Sequence, residues 1–184
     1  NMIYIIPTKR GMGVEIWGTY DDLTNFYEVI GKFWNDEKYL DKKGFENRDK
    51  LISSFSYEIR KAKEGSRLKR KTSHYSPEEQ KYFGCQLSWV HFLFSLTAIK
   101  FNMRYYETNK FDIVHILLIE FWLEKAMRSF DEVTAMNLIG FIEDGLYGAN
   151  NYIYQYMRSI NLDYYLLGGS KAAFKKLPDL LRKG

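Results

Sequence analysis

Two long apolar segments, residues 89–101 and 111–123, restrict most strongly what this chain can fold into. A membrane-spanning helix needs about 20 predominantly apolar residues, and both segments are shorter than that. Polar or ionisable side chains also interrupt them, namely His91, Lys100, Asp112, His115 and Glu120. We therefore interpret both segments as core helices of a protein that does not enter a membrane.

The composition is typical of one globular domain, which we assign to residues 1–184. Hydrophobic residues make up 46% of the chain and aromatic residues 17%, and a disordered chain could not keep so many rings in water. No repeat, low-complexity tract or long linker divides the sequence. Asn1 precedes Met2, so we interpret Asn1 as an added residue and Met2 as the natural start.

The cytoplasm is the compartment that the sequence favours. The first apolar run, residues 2–6, is too short for a secretory signal and is stopped by Pro7. Cys85 is the only cysteine, which excludes an intramolecular disulfide and a cysteine-based zinc site. The net charge of +4 is too small by itself to indicate a class of partner.

A short β-hairpin is predicted at the N-terminus. Residues 2–6 and 14–17 are rich in β-branched and aromatic side chains, as strands prefer. Pro7, Gly11 and Gly13 lie between them and indicate a turn. Two strands are marginally stable alone, so we expect a helical layer to cover one face of the hairpin.

The rest of the chain is predicted to be helical. Apolar residues at three- and four-residue spacing indicate helices in six segments, at about 19–34, 47–63, 86–106, 111–130, 131 to 145 or 148, and 150–160. Thr19, Asn109 and Asp131 are predicted to cap the first, fourth and fifth of these helices. Residues 50–60 also alternate as a strand would, although we favour a helix. We expect an irregular segment at 65–75, a helix start at 76–79, a bend near Gly84, and a short helix that begins after Ser170 and is limited by Pro178.

These patterns predict an α+β fold that is predominantly α, in which the hairpin packs on a bundle of about six helices. Three stretches also resemble a bacterial family that is known as a domain of unknown function: residues 6–8 with 13–23 and Tyr27, residues 57–67, and, more weakly, Trp89 at the start of an apolar helix. The resemblance lies mainly within residues 6–67 and implies a related fold and a bacterial origin, but no activity. Lys61 stands where the resemblance predicts a histidine.

A cluster of cations, which we call the basic segment, spans residues 60–71. Its members with possible anion-binding roles are Arg60, Arg67, Lys69, Arg70 and Lys71. Clustered cations attract phosphates, and His74 and Tyr75 nearby could stack on bases. Because no nucleic-acid-binding motif is present, we favour a solvated surface, with Arg60 pairing inside the fold to a carboxylate such as Asp21 or Asp22.

A catalytic site is the weakest of the hypotheses. Asp112 and His115 are three residues apart on one predicted helix, so the acid could orient the imidazole. Glu120 lies in the same apolar helix and could serve acid–base chemistry, or it could pair with Arg104, Lys125 or Arg128. No catalytic motif accompanies these residues, and we predict no cofactor and no metal.

Tyrosines crowd the C-terminal third of the chain. Tyr152 and Tyr156 share one face of a predicted helix, and exposed tyrosines are common at interfaces. Our preferred interpretation is an interaction or structural domain that forms a homo-oligomer or binds a protein partner through its aromatic helices. Core packing of the same rings is an equally good explanation. Nucleic-acid binding and catalysis are the alternatives.

Overall fold

The predicted hairpin is confirmed in a computed structural model that describes residues 2–71 and 80–183. Strand β1 (Tyr4–Pro7) pairs antiparallel with β2 (Gly13–Gly18). Val14 and Ile16 are fully buried on the face that the helices cover, whereas Glu15 and Trp17 lie on the opposite face because successive side chains alternate along a strand.

A second hairpin extends the first into a four-stranded sheet. Strand β3 (Leu68–Lys71) and strand β4 (Lys81–Ser88) pair antiparallel, and β4 also pairs with β2, which gives the order β1-β2-β4-β3. The prediction of an irregular segment is therefore wrong at residues 68–71, and the prediction of helix is wrong at residues 86–88. The helix start predicted at 76–79 and the flanking residues 74 and 75 lie outside the described residues.

Tertiary pairing explains why this second hairpin is not visible in the sequence. Cys85 and Leu87 alternate with exposed Gln86, but the run is too short to distinguish a strand from the start of the apolar helix behind it. Partners on β2 complete the ladder, with Ile16 opposite Cys85 and Val14 opposite Leu87. Gly84 marks a close approach, because a Cβ there would lie 2.8 Å from the Trp17 ring.

Seven α-helices are present in the described residues, and together with the hairpin they confirm the α+β, predominantly α class. Their bounds are α1 Tyr20–Gly31, α2 Lys43–Lys63, α3 Trp89–Asn102, α4 Lys110–Phe130, α5 Glu132–Glu143, α6 Ile153–Leu166 and α7 Lys171–Arg182. The helix favoured for residues 50–60 is confirmed within α2. None of the helices in the described part of the chain combines the length and apolar character needed to cross a bilayer.

Local capping chemistry sets several of the helix starts. Thr19 and Asp22 form a reciprocal capping box at α1, and Asn109 and Asp112 form another at α4. The Oγ of Ser88 accepts a hydrogen bond from the backbone N–H of His91 and so begins α3 directly after β4. The predicted caps at Thr19, Asn109, Asp131 and Ser170 are all confirmed.

Two helices continue past their predicted C-terminal ends. Helix α6 continues to Leu166, six residues beyond the predicted end, because Tyr164 is completely buried and extends its apolar face. Helix α7 passes through Pro178, which removes one backbone hydrogen bond from the helix. The buried side chains Phe174, Leu177 and Leu181 form a continuous apolar stripe across that position, so packing maintains the helix.

The loop between β1 and β2 is fixed to the bundle at the carbonyl oxygen of Gly11. This oxygen accepts hydrogen bonds from Trp89 Nε1 at 3.0 Å and from the Tyr164 hydroxyl at 2.6 Å. Both donors are fully buried, and burial raises the pKa of Tyr164. Gly11 has φ +72°, and a Cβ on it would lie 2.4 Å from the Phe130 ring, so only glycine fits this position.

We expect Tyr164→Phe to destabilise the protein by about 1–2 kcal/mol, because the substitution removes one of two donors from a buried carbonyl oxygen while keeping the ring. Urea unfolding followed by circular dichroism measures the change. Tyr165→Phe is the matched control, since Tyr165 is exposed and its substitution should leave the free energy of unfolding unchanged. Equal effects of the two substitutions would contradict the assigned role of the Gly11 carbonyl.

Candidate functional site

The three residues of the predicted acid–base site have separate structural roles. Asp112 is buried, accepts the backbone N–H of Asn109 and forms an ion pair with Lys32. His115 donates from Nδ1 to the Phe111 carbonyl at 2.8 Å and does not contact Asp112. The geometry therefore does not assemble the predicted pair.

Glu120 is engaged by a lysine from another helix. Its carboxylate lies 2.7 Å from the ammonium group of Lys100 in α3, not beside the lysine and arginines considered from the sequence. Glu120 lines the groove formed with Ile113, Ile116 and Leu117, and His115 is not part of that lining. These contacts leave the hypothesis of catalysis at Asp112, His115 and Glu120 without geometric support.

The guanidinium groups of the basic segment are engaged within the fold. Arg67 makes a two-pronged ion pair with Glu58, at 3.0 and 3.3 Å. Arg70 lies on the outer face of the sheet over the rings of Tyr4, Trp17 and Tyr82. Lys69 and Lys71 are exposed on β3, so the segment follows a sheet edge rather than forming a pocket for an anion.

Arg60 does not pair with the carboxylates considered for it. Asp22 caps α1, and Arg60 lies half-buried with its guanidinium 5.3 Å from the centre of the Tyr57 ring. The buried arginine of this fold is instead Arg48, which was not identified from the sequence. Its sequence neighbours Asn47 and Asp49 are polar as well, so the sequence gave no signal that this position faces inward.

Arg48 lies between two aromatic rings and binds neutral groups. Its guanidinium carbon is 4.5 Å from the Phe45 ring centre and 4.4 Å from that of Phe101. Nε donates to Asn102 Oδ1 at 2.6 Å, and Nη1 donates to the Gly148 carbonyl at 3.2 Å. Burial lowers the pKa of Arg48.

The predicted tyrosine surface at the start of α6 is divided between solvent and core. Tyr152 is exposed, and its hydroxyl contacts the ammonium group of Lys43, which lowers the pKa of Tyr152. Tyr156 packs its ring against Phe94 and buries its hydroxyl. The two rings therefore do not form one exposed surface.

A different apolar surface, which we call the α4 face, lies on helix α4. Its members are exposed side chains at three- and four-residue spacing: Ile113, Val114, Leu117 and Phe121. Val114, Leu117 and Phe121 each expose more than half of their surface, at 58%, 58% and 57%. A groove of about 470 Å³ runs beside the α4 face and is lined by Met103, Ile113, Ile116 and Leu117.

A cleft of about 920 Å³ lies on another side of the molecule and is lined by α2, α6, residues 34–40 and the junction of β4 with α3. Asp49, Ser54 and His91 line it. Asp49 accepts hydrogen bonds from the Asn35 backbone N–H at 3.0 Å and from Asn102 Nδ2 at 3.4 Å. Burial raises the pKa of Asp49.

Ser54 and His91 form a hydrogen-bonded pair in this cleft, with Ser54 Oγ and His91 Nε2 2.8 Å apart. The Ser54 hydroxyl also donates to the Leu51 carbonyl at 2.9 Å, so its oxygen accepts from Nε2–H of His91. That arrangement makes His91 a donor to Ser54 rather than the base that would activate a serine nucleophile. His91 was recognised in the sequence only as a polar interruption of an apolar helix.

The described residues contain neither a reactive cysteine nor a group of side chains that could hold a metal ion. Cys85 is completely buried, and burial raises the pKa of its thiol to about 12, so Cys85 is a packed thiol rather than a nucleophile. Within residues 2–71 and 80–183, no three histidine, cysteine or acidic side chains are grouped so that they could hold a metal ion.

Comparison with known proteins identifies the family of this chain. The model of a family described as a domain of unknown function (DUF6904) matches residues 3–183. The relationship predicted from residues 6–67 is confirmed and covers nearly the whole chain. No curated protein and no solved structure matches this sequence.

The pH dependence of stability tests the environment of His91. Burial lowers the pKa of His91 below its ordinary value of 6.5, so the unfolded chain binds this proton more readily than the folded chain does. The contribution of neutral His91 is therefore complete above pH 6.5 and is lost as the pH falls through the folded pKa. We expect His91→Gln to weaken the acid destabilisation that urea unfolding measures between pH 7.5 and 5.

His115→Gln provides the control, because the His115 imidazole lies at the surface of α4 rather than in the cleft. An unchanged pH dependence in His91→Gln, or an equal change in both variants, would show that burial of His91 does not govern this acid sensitivity.

Proposed function

The chain belongs to the DUF6904 family, and we propose that it is an interaction domain that forms a homodimer through the α4 face. The observation that carries this proposal is the exposure of Val114, Leu117 and Phe121 on one side of a helix. Contiguous apolar side chains in water are unfavourable, and such a patch commonly marks a surface that another molecule covers. The proposal keeps the predicted self-association but moves it from α6 to α4.

A second copy of the chain fits this surface because the α4 face carries both a projection and a depression. Phe121 is exposed on the helix, and the groove beside it has an apolar part formed by Ile113, Ile116 and Leu117, next to the Lys100–Glu120 ion pair. In an antiparallel pair of α4 helices related by a twofold axis near Leu117, Phe121 of each copy lies opposite Ile113 of the other. Each copy then offers the same patch to its partner, as a twofold interface requires.

The charges at the two ends of the α4 face also favour this pairing. Lys110 and Glu124 are each seven residues from Leu117, in opposite directions along α4. In the antiparallel arrangement, Lys110 of one copy therefore lies at the height of Glu124 of the other. Opposite charges at the rim of an apolar interface favour one orientation over its reverse.

The proposed setting of this dimer is the bacterial cytoplasm. The bacterial origin follows the resemblance described above, and the reducing compartment is supported by the single cysteine, whose thiol is buried and free. The mildly basic surface is then a solvated exterior rather than a nucleic-acid site, since Arg67 and Arg70 already have partners within the fold.

We expect Leu117→Glu to convert the dimer to a monomer. Position 117 lies near the twofold axis, so the substitution brings the carboxylates of the two chains close together. Size-exclusion chromatography with light scattering at micromolar concentrations should show the mass halve. Leu162→Glu is the matched control, since Leu162 on α6 is exposed to 57% against 58% for Leu117 and should leave the dimer intact.

A cross-linking variant tests the position of the axis. Under mild oxidation, Leu117→Cys should form a disulfide between the two chains of the dimer, whereas Leu162→Cys should not. Cys85 is buried and should not react. A monomeric wild-type protein at high concentration would overturn the proposal. A dimer that survives Leu117→Glu would show that another surface forms the interface.

A further inference from the structure

The cleft beside α2 has the features of a binding site that the proposed dimer does not use. No lining residue of the cleft belongs to α4, so occupation of the cleft and pairing through the α4 face are independent. Its volume of about 920 Å³ is within the range of small-molecule sites in proteins. Its wall combines aromatic rings, a carboxylate and a hydrogen-bonded hydroxyl–imidazole pair.

Asp49 supplies a carboxylate that has no ion-pair partner among the described residues. Its two oxygens accept hydrogen bonds from the Asn35 backbone and the Asn102 amide, which are neutral donors. Arg48, its neighbour in sequence, directs its donors to Asn102 and Gly148 instead. Burial raises the pKa of Asp49 by more than the nearby charge of Arg48 lowers it, so a bound cation would offset the remaining cost of burying this carboxylate.

The other acidic residues of the cleft are already paired. Glu58 binds Arg67 at 3.0 Å, and Glu46 lies 3.7 Å from Lys50. The cleft is lined by three carboxylates and one lysine. Because Glu46 and Glu58 are paired, Asp49 is the carboxylate left for a ligand. This charge distribution disfavours anionic ligands and favours those with one positive charge.

Trp34 supplies an apolar wall next to this carboxylate. It precedes Asn35, whose backbone N–H is bound to Asp49, and it lines the same cleft. The Trp34 Nε1 atom is buried and has no hydrogen-bond partner among the described residues. Tyr154 of α6 provides a second ring in the lining, and aromatic faces are favourable surroundings for organic cations.

We propose that the cleft binds a small organic amine, with its ammonium group at Asp49 and its apolar body against Trp34 and Tyr154. The Ser54–His91 pair lies in the same cleft and offers hydrogen bonds to a polar group at the other end of such a ligand. His91 Nδ1 is then an acceptor, because Nε2 carries the proton that is donated to Ser54. The inference goes beyond self-association and concerns a separate surface.

Isothermal titration calorimetry with matched probe pairs tests this proposal on the full chain. The pairs are 2-phenylethylamine with 2-phenylethanol, and tryptamine with tryptophol, in which a hydroxyl group replaces the amine on the same apolar body. We expect each amine to bind about tenfold or more tightly than its alcohol, because a hydrogen bond to a charged group contributes about 1.5–3 kcal/mol.

Two variants locate the ammonium group. Asp49→Asn should remove the preference for the amine, and Asp163→Asn on the exposed side of α6 is the control that should keep it. Because Asp49 also holds Asn35 and Asn102, a second variant avoids those contacts. Ser53→Lys adds a cation to the cleft wall and should likewise abolish the preference without altering the hydrogen bonds of Asp49.

The results distinguish this proposal from the dimer. Amine binding should persist in Leu117→Glu, whatever the oligomeric state of that variant. Equal binding of amine and alcohol, absence of binding by all four probes, or an amine preference that survives both Asp49→Asn and Ser53→Lys would each overturn the assignment of the cleft to amines.

Discussion

The carbonyl oxygen of Gly11 is the point on which the arrangement of sheet and helices depends. It accepts hydrogen bonds from Trp89, the first residue of α3, and from Tyr164, near the end of α6. Residues 153 positions apart are thereby joined at one buried atom of the first loop. A buried carbonyl that lost these donors would be left unsatisfied, so the two helices and the hairpin are constrained to meet there.

The packing around the Gly11 loop also determines which side of α4 remains exposed to solvent. Phe130, at the end of α4, packs against Trp89 and Phe174, with ring centres 6.2 and 5.1 Å away. One side of α4 is therefore turned toward β1 and α5, where Ile119, Leu123 and Met127 are buried. Because α4 is apolar over much of its circumference, packing one side leaves Val114, Leu117 and Phe121 in water. This exposed apolar surface supports the proposed interface.

The cleft is held open by a buried polar network rather than by apolar packing alone. Asn102 accepts from Arg48, donates to the Phe33 carbonyl at 2.8 Å and donates to Asp49. These bonds fix the chain at residues 33–35, where Asn35 adopts φ +64°, a left-handed conformation uncommon for a side chain other than glycine. Trp34 is thereby held beside the Asp49 carboxylate, so the wall of the cleft exists before any ligand arrives.

The sequence by itself determined the elements whose signals are local. Caps at Thr19, Asn109, Asp131 and Ser170, and apolar spacing over at least three turns, were sufficient to predict most helices, because both signals lie within one segment. The hairpin at the N-terminus was likewise predictable from its alternating residues and its turn glycines. The family relationship also followed from residues within the first half of the chain.

Tertiary structure decided what depends on residues far apart in the chain. Residues 68–71 and 81–88 form strands because β2 provides hydrogen-bonding partners for β4, and a short run of residues carries no sign of such a partner. Arg48, rather than Arg60, is buried because Phe45, Phe101 and Asn102 converge on it from two helices. Whether an apolar or charged side chain lies in the core, on an exposed face or in a cleft is fixed by its neighbours in space, which the order of residues does not specify.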